Sequence, residues 1–153
     1  MAYQKLQALR AISVIPKDDI IVPSPGDKVA SGTTDSTVAD KLVDSSASFL
    51  GKVKLGATVY NTTDTTAAKV VGVSETELTL DANIMASGEA YTVYNTTNSE
   101  GPTLYVGTGG SLVIKTVGGD LVTLANVADA SYIPIMVSTV QTATTASDII
   151  ALW

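Results

Sequence analysis

The feature that most constrains the fold is a series of short β-branched runs separated by turn-forming residues. Between residues 53 and 99, such runs lie at 58–60, 69–73, 77–80 and 90–94. They recur about every 8 to 12 residues, which is the spacing of small barrels and sandwiches. Stiff β-branched side chains fit a pleated sheet better than a helix. The sequence therefore predicts an all-β fold.

The C-terminal third predicts further strands at residues 103–106, 111–117, 121–124, 132–139 and 148–153. Glycines fill the intervals at 107–110 and 118–119. Because glycine readily adopts the positive φ angles of tight turns, we expect two successive hairpins here. Pro134 lacks an N–H donor, so its strand should lie at a sheet edge, begin after the proline or carry a bulge.

The N-terminal part is less regular. Apolar pieces at 11–15 and 20–22, interrupted by prolines, predict two short extended segments joined by a turn. Residues 26–39 are small and polar, which indicates a linker or a long loop. Residues 40–50 favour a strand with a turn at 44–46 over a short helix, because Ser and Asp compete with helical hydrogen bonds.

The hexapeptide Thr-Val-Tyr-Asn-Thr-Thr occurs at residues 58–63 and again at 92–97. The copies could be equivalent strand ends in one barrel, or Thr-rich strands that repeat by chance. Each copy contains an Asn-Thr-Thr sequon, at Asn61 and Asn95. Sugar addition requires a secretory route, and the sequence shows no signal for one.

Charge argues against a nucleic-acid partner, and the lack of a long apolar run argues against a membrane. Nine Lys and Arg stand against fifteen Asp and Glu, a net charge of −6. Such a chain lacks the basic footprint that phosphate neutralisation requires, so we expect no nucleic-acid partner. No apolar run reaches the roughly 18 residues of a membrane span, and we expect neither a membrane segment nor a signal peptide.

The chain lacks the residue types that most often carry out catalysis or bind metals. The chain has no Cys and no His, which removes disulfides, thiolate metal sites and the commonest general base. A Ser or Thr nucleophile would need another base, and no carboxylate pair is singled out for glycoside hydrolysis. We therefore predict a non-enzymatic protein with no catalytic, cofactor-binding or metal-binding residues.

Two sequence patterns resemble parts of known binding sites. Residues 107–110, Gly-Thr-Gly-Gly, resemble the start of a dinucleotide-binding loop, but a strand sequence follows where a helix would be needed. Several aspartates could offer oxygen ligands to calcium, although none has the spacing of a dedicated loop. These aspartates are Asp18, Asp19, Asp35, Asp40 and Asp44. The simpler interpretations are a hairpin turn and solvated turn carboxylates.

Residues 101–153 resemble the head-spike base protein family of tailed phages and gene transfer agents. The resemblance is carried by an ordered series of short β and turn segments: 104–107, 109–113, 118–120, 122–124, 133–135 and 144–152. Residues 11–19 look like the N-terminal strand of the same family. Residues 27–99 depart from the compact pattern and look like a separate β module of other phage structural proteins.

The resemblance implies a β-sandwich (jelly-roll-like) with an inserted small β-barrel-like module. Residues 1–26 plus 100–153 would form the sandwich with its N-terminal arm, and residues 27–99 the inserted module. It also implies a structural virion protein outside a tailed-phage capsid, either a decoration (cement) protein or a head-spike base. Such a protein would be synthesised in the host cytoplasm.

The expected partners are the major capsid protein or other virion proteins, and further copies of the chain in a trimer or pentamer. The arm, residues 1–25, would dock the protein or bind a neighbouring copy. A tail or baseplate component is an alternative within the virion. A carbohydrate-binding adhesin is another, with exposed Tyr60, Tyr91 and Tyr94 as its platform, although tyrosines in alternating strands are more often half-buried.

Overall fold

The computed structural model describes residues 7–96 and 100–153, and within them the protein is all-β, as predicted. These residues contain thirteen strands, one 3-10 turn at Pro25–Asp27 and no α-helix. The strands are β1 Ala11–Ser13, β2 Lys28–Thr33, β3 Lys41–Val43, β4 Thr58–Asn61, β5 Thr66–Val73, β6 Glu77–Leu80, β7 Ala90–Tyr94, β8 Thr103–Thr108, β9 Gly110–Thr116, β10 Leu121–Val127, β11 Ser131–Ile133, β12 Val137–Val140 and β13 Ser147–Leu152.

The chain forms two compact units. One comprises Met1–Asp18 together with Ser99–Trp153, and the other comprises Asp19–Asn98. The first is called the sandwich unit below and the second the barrel unit. Every strand pair in both units is antiparallel.

The sandwich unit contains a four-stranded sheet of order β1-β13-β8-β11 and a three-stranded sheet of order β10-β9-β12. Successive side chains of a strand point to opposite faces, so one face of each sheet can be apolar. Leu104 and Val106 of β8 are fully buried, as are Leu112 and Ile114 of β9. The fold class predicted from the sequence is thus confirmed for this unit.

Two details of the sandwich differ from prediction. The hairpin expected at 107–110 is wrong, because the chain passes at Gly109 from the four-stranded to the three-stranded sheet. The single strand expected at 132–139 is also wrong, because β11 and β12 belong to different sheets. The expectation from Pro134 is confirmed, since β12 begins after the proline and lies at the edge of its sheet. The hairpin of β9 and β10 is confirmed, with Leu121 opposite Lys115.

The barrel unit is one six-stranded sheet of order β2-β7-β4-β5-β6-β3. The sheet curls into a half-barrel, and the amide of Asp35, just after β2, donates to the carbonyl of Val43 at the end of β3. The curled face encloses an apolar core that includes Leu42, Phe49 and Leu78, all fully buried. The barrel-like module is therefore confirmed.

The loop predicted for residues 26–39 is wrong, because residues 28–33 form β2. This strand pairs only with β7, and none of its residues is buried. An edge strand needs no run of large apolar side chains, which explains why Lys-Val-Ala-Ser-Gly-Thr was interpreted as a loop. The strand and turn predicted within 40–50 are confirmed by β3 and the turn at Ser45 and Ser46.

The repeated hexapeptide supplies neighbouring strands of the barrel. In β4 and β7, Val59 lies opposite Val93, so the two copies are paired symmetrically about the valines. The Tyr60 and Tyr94 rings meet edge to face with centroids 5.7 Å apart. The copies are thus equivalent strand ends in one sheet, while Thr97, the last residue of the second copy, lies outside the described residues.

Candidate functional site

An open cleft of about 370 Å³ runs along the free edge of β2 in the barrel unit. Val29 to Thr33 form one wall, and residues 46–49 with Lys52 form the other. Asp44 and Tyr91 also line the cleft. It is an opening in the curled sheet, where a strand could still be added.

Asp44 is a buried carboxylate of this cleft, with 5% of its surface exposed. Its Oδ1 accepts hydrogen bonds from the Ser46 amide (2.9 Å) and the Ser46 hydroxyl (2.6 Å). Its Oδ2 accepts one from the Tyr91 hydroxyl (2.7 Å). A Cβ on Gly32 would lie 2.6 Å from Oδ2, so this carboxylate can approach β2 only at a glycine.

The hydrogen bonds that Asp44 accepts lower its pKa more than burial raises it. Burial alone would raise the pKa of Asp44, but donation by Ser46 and Tyr91 to the charged form lowers it below 3.8. Burial and the neighbouring Asp44 carboxylate together raise the pKa of Tyr91. Asp44 is therefore ionised and Tyr91 is protonated at neutral pH.

This pKa shift predicts an acid-sensitive contribution to stability. A carboxylate whose folded-state pKa is lowered stabilises the fold above its unfolded value, and this contribution is lost as pH falls through the folded value. We expect Asp44→Asn to flatten the decline of unfolding free energy below pH 3.8, measured by urea denaturation at successive pH values. Leu55→Ala, at an exposed side chain of the same unit that carries no titratable group, should keep the wild-type slope. Identical slopes in Asp44→Asn and wild type would contradict the assignment.

A second open cleft of the barrel unit, about 300 Å³, is lined by Asp64, Thr66, Asn83 and Glu89 among others. The Glu89 carboxylate accepts hydrogen bonds from the Ala86 amide (2.6 Å) and the side chain of Asn61 (2.8 Å). A hydrogen bond to Glu89, together with charge repulsion, raises the pKa of Asp64, whereas the Ala86 amide lowers that of Glu89.

The Asp64 and Glu89 carboxyls lie close enough for each to shift the other's pKa. Glycoside hydrolysis needs two carboxyls about 5 Å apart or more, so that the sugar fits between them. A pair this close leaves no such space. Glu89 instead joins the segment before β7 to β4 through the hydrogen bond that it accepts from Asn61.

The two sequon asparagines have structural roles. Asn61 is fully buried, and its side chain donates to the Ile84 carbonyl and accepts from the amides of Thr63 and Asp64. Asn95 accepts from the Lys54 amide and donates to the Lys52 carbonyl. In both copies of the repeat, the asparagine therefore fixes a loop to the end of its strand.

The aspartates considered as calcium ligands are distributed among local contacts. Asp18 accepts from the amide and hydroxyl of Thr142, which lowers its pKa, and Asp19 forms an ion pair with Lys69 at 3.2 Å. Asp35 accepts from the Ser45 amide at 2.7 Å. Within residues 7–96 and 100–153, no three acidic side chains come together as a metal site would require.

The glycine-rich segment 107–110 lies beside carboxylates. The Gly109 amide donates to Asp129 at 2.7 Å, and a Cβ on Gly107 would lie 2.8 Å from the Cβ of Asp148. Carboxylates at these positions would repel a phosphate. The segment serves as the crossing between two sheets.

The tyrosine platform proposed for an adhesin is wrong in its residues. Tyr60, Tyr91 and Tyr94 are 3%, 2% and 8% exposed. Tyr91 belongs to the apolar core with Val59 and Val93, whereas Tyr60 and Tyr94 point to the opposite face of the sheet, where their rings pack against each other. Among the tyrosines that the structure describes, the exposed ones are instead Tyr105 (38%) and Tyr132 (56%), directly opposite each other on β8 and β11. Alternation could have located Tyr105, since it stands between Leu104 and Val106.

Among the described residues, no helix has the length and apolar character needed to cross a membrane. Comparison with known proteins finds no matching family model, no matching curated protein and no matching solved structure. The resemblance to head-spike base proteins therefore stays a prediction that rests on the residues quoted for it.

Proposed function

We propose that the protein is a structural component of the outside of a tailed-phage capsid, as a decoration (cement) protein or the base of a head spike. One observation carries the proposal. The two separate segments that carry the family resemblance, 11–19 and 101–153, meet in one sheet. Ala11, Ile12 and Ser13 of β1 lie opposite Leu152, Ala151 and Ile150 of β13.

The geometry of the sandwich unit suits a building block. Its strands are short, and β1 and β11 are open edges of the four-stranded sheet. Such edges can pair with neighbouring subunits. The adjacent Tyr105 and Tyr132 give the outer face of this sheet the aromatic character common at interfaces. Weak contacts of this kind gain strength when an oligomer makes many of them on a repeating lattice.

The proposed partners are the major capsid protein and other copies of this chain, in a trimer or pentamer at the capsid surface. A tail or baseplate component would share this composition and fold. The two are separated by where the protein binds on the particle.

Cosedimentation with capsids that lack the protein tests the proposal. We expect saturable binding to these capsids and an oligomer mass, from light scattering, of three or five chains per complex. Capsids that already carry the protein are the matched control and should bind no more. A well-folded protein that binds neither purified capsids nor its own copies would contradict the proposal, and binding to isolated tails would move the site to the tail.

A further inference from the structure

The edge of β2 is free along the first cleft. On one side, β2 pairs with β7 from Lys28↔Tyr94 to Thr33↔Ala90. On the other side, none of the described elements forms a backbone hydrogen bond with residues 28–33. Residues 46–49 stand across the cleft. The backbone groups of β2 can therefore bind an extended chain that enters there.

Negative charges outnumber positive ones in and near the cleft. Asp44 is buried in its wall, and among the described residues the ion pairs of the barrel unit involve Lys41 and Lys69, not Asp44. Asp35 is close enough to act on the charge of Asp44, and Lys52 contributes one positive charge. A buried carboxylate without a cation favours an incoming ammonium or guanidinium group.

The chain contains a segment of complementary charge. Residues 1–8, Met-Ala-Tyr-Gln-Lys-Leu-Gln-Ala, carry Lys5 and no acidic residue. Residues 19–98 carry five Lys against ten Asp and Glu, a net charge of −5. Gln7 to Arg10 are exposed, and Leu9 is 77% exposed. Residues 11–13 belong to β1, and the amides of Leu9 and Arg10 donate to the Trp153 carbonyl, so the segment proposed for a partner stops at Ala8.

We propose that the free edge of β2 receives residues 1–8 of a neighbouring copy as an added strand, with Lys5 paired to the buried Asp44. The inference rests on the proposed function for its neighbour, since a capsid lattice or spike places copies side by side. It assigns the arm a specific receptor, the cleft between β2 and residues 46–49. The added strand would close the opening in the half-barrel.

Self-association of the full-length chain tests this proposal without capsids. Light scattering over a concentration series should show oligomers, and an excess of a synthetic peptide with the sequence of residues 1–8 should dissociate them. A scrambled peptide of the same composition should not. Asp44→Asn should raise the dissociation constant of self-association about tenfold, the typical effect of losing one charge-assisted contact. Asp64→Asn, in the second cleft, is the matched control and should leave the constant unchanged.

Lys5→Gln repeats the test from the arm and should weaken self-association by the same factor of about ten. A chain that is monomeric at every concentration would overturn the proposal. Peptide binding by such a monomer would not rescue it, because no neighbouring copy would supply the arm. Oligomers that ignore the peptide and Lys5→Gln would also overturn it. Capsid binding in either case would leave the proposed function standing, so the two failures are distinguishable.

Discussion

Replacing Phe49 by alanine is expected to lower the free energy of unfolding by about 3–5 kcal/mol, the range for deleting a fully buried phenyl ring. Phe49 has no exposed surface, and its ring lies edge to face against Tyr91 with centroids 6.0 Å apart. The Phe49 amide also donates a hydrogen bond to the Glu75 carbonyl, and the Phe49 carbonyl accepts one from the Lys52 amide. Removal of the ring leaves a cavity in the barrel core that rigid flanking strands cannot fill.

Urea denaturation followed by circular dichroism measures this effect. Leu55→Ala is the matched control, because Leu55 lies in the same unit with 69% of its surface exposed. We expect the control to change stability by no more than about 0.5 kcal/mol. A Phe49→Ala protein as stable as the control would mean that residues 44–53 are not packed against the sheet as described.

The strands that could be predicted from sequence are those with a strong local pattern. The runs at β4, β6 and β7 combine β-branched or aromatic residues with turn residues on both sides, and the structure places strands there. Alternation produces this pattern wherever one face is buried, so it can be recognised without knowledge of the partner strand. The all-β class followed from the same signal.

The features that the sequence did not predict depend on distant partners. β2 is a strand because β7 lies beside it, and its own residues carry little apolar signal. Gly109 leads into a second sheet although glycine there is equally typical of a hairpin. Periodicity reports which residues are buried but not which sheet receives the next strand.

The candidate cleft was even harder to predict from the sequence. Asp44 was considered as one of several turn carboxylates, but its burial depends on Tyr91, which lies 47 positions further along the chain. Gly32 belongs to the segment interpreted as a loop. The site arises where three separate segments meet in the curled sheet, and no local motif specifies that meeting.

Replacing Gly109 by alanine should destabilise the sandwich unit by about 3 kcal/mol, the upper end of what overpacking costs. A Cβ at this position would collide with the Val127 carbonyl oxygen, and it would lie 2.9 Å from the carbonyl carbon of Ala128 and 3.0 Å from the Asp129 amide nitrogen. All three atoms belong to the backbone, so no side chain can rotate away. The crossing between the two sheets must therefore shift, and with it the hydrogen bond from Gly109 to Asp129.

Gly118→Ala separates this steric effect from the general cost of losing a glycine. A Cβ at Gly118 would meet its nearest neighbours at 3.6 Å, an ordinary van der Waals distance, in the hairpin of the same unit. We expect thermal unfolding to show a clear loss of stability for Gly109→Ala and little change for Gly118→Ala. If both variants melt like the wild type, the chain does not cross between sheets at Gly109 in the tight conformation described.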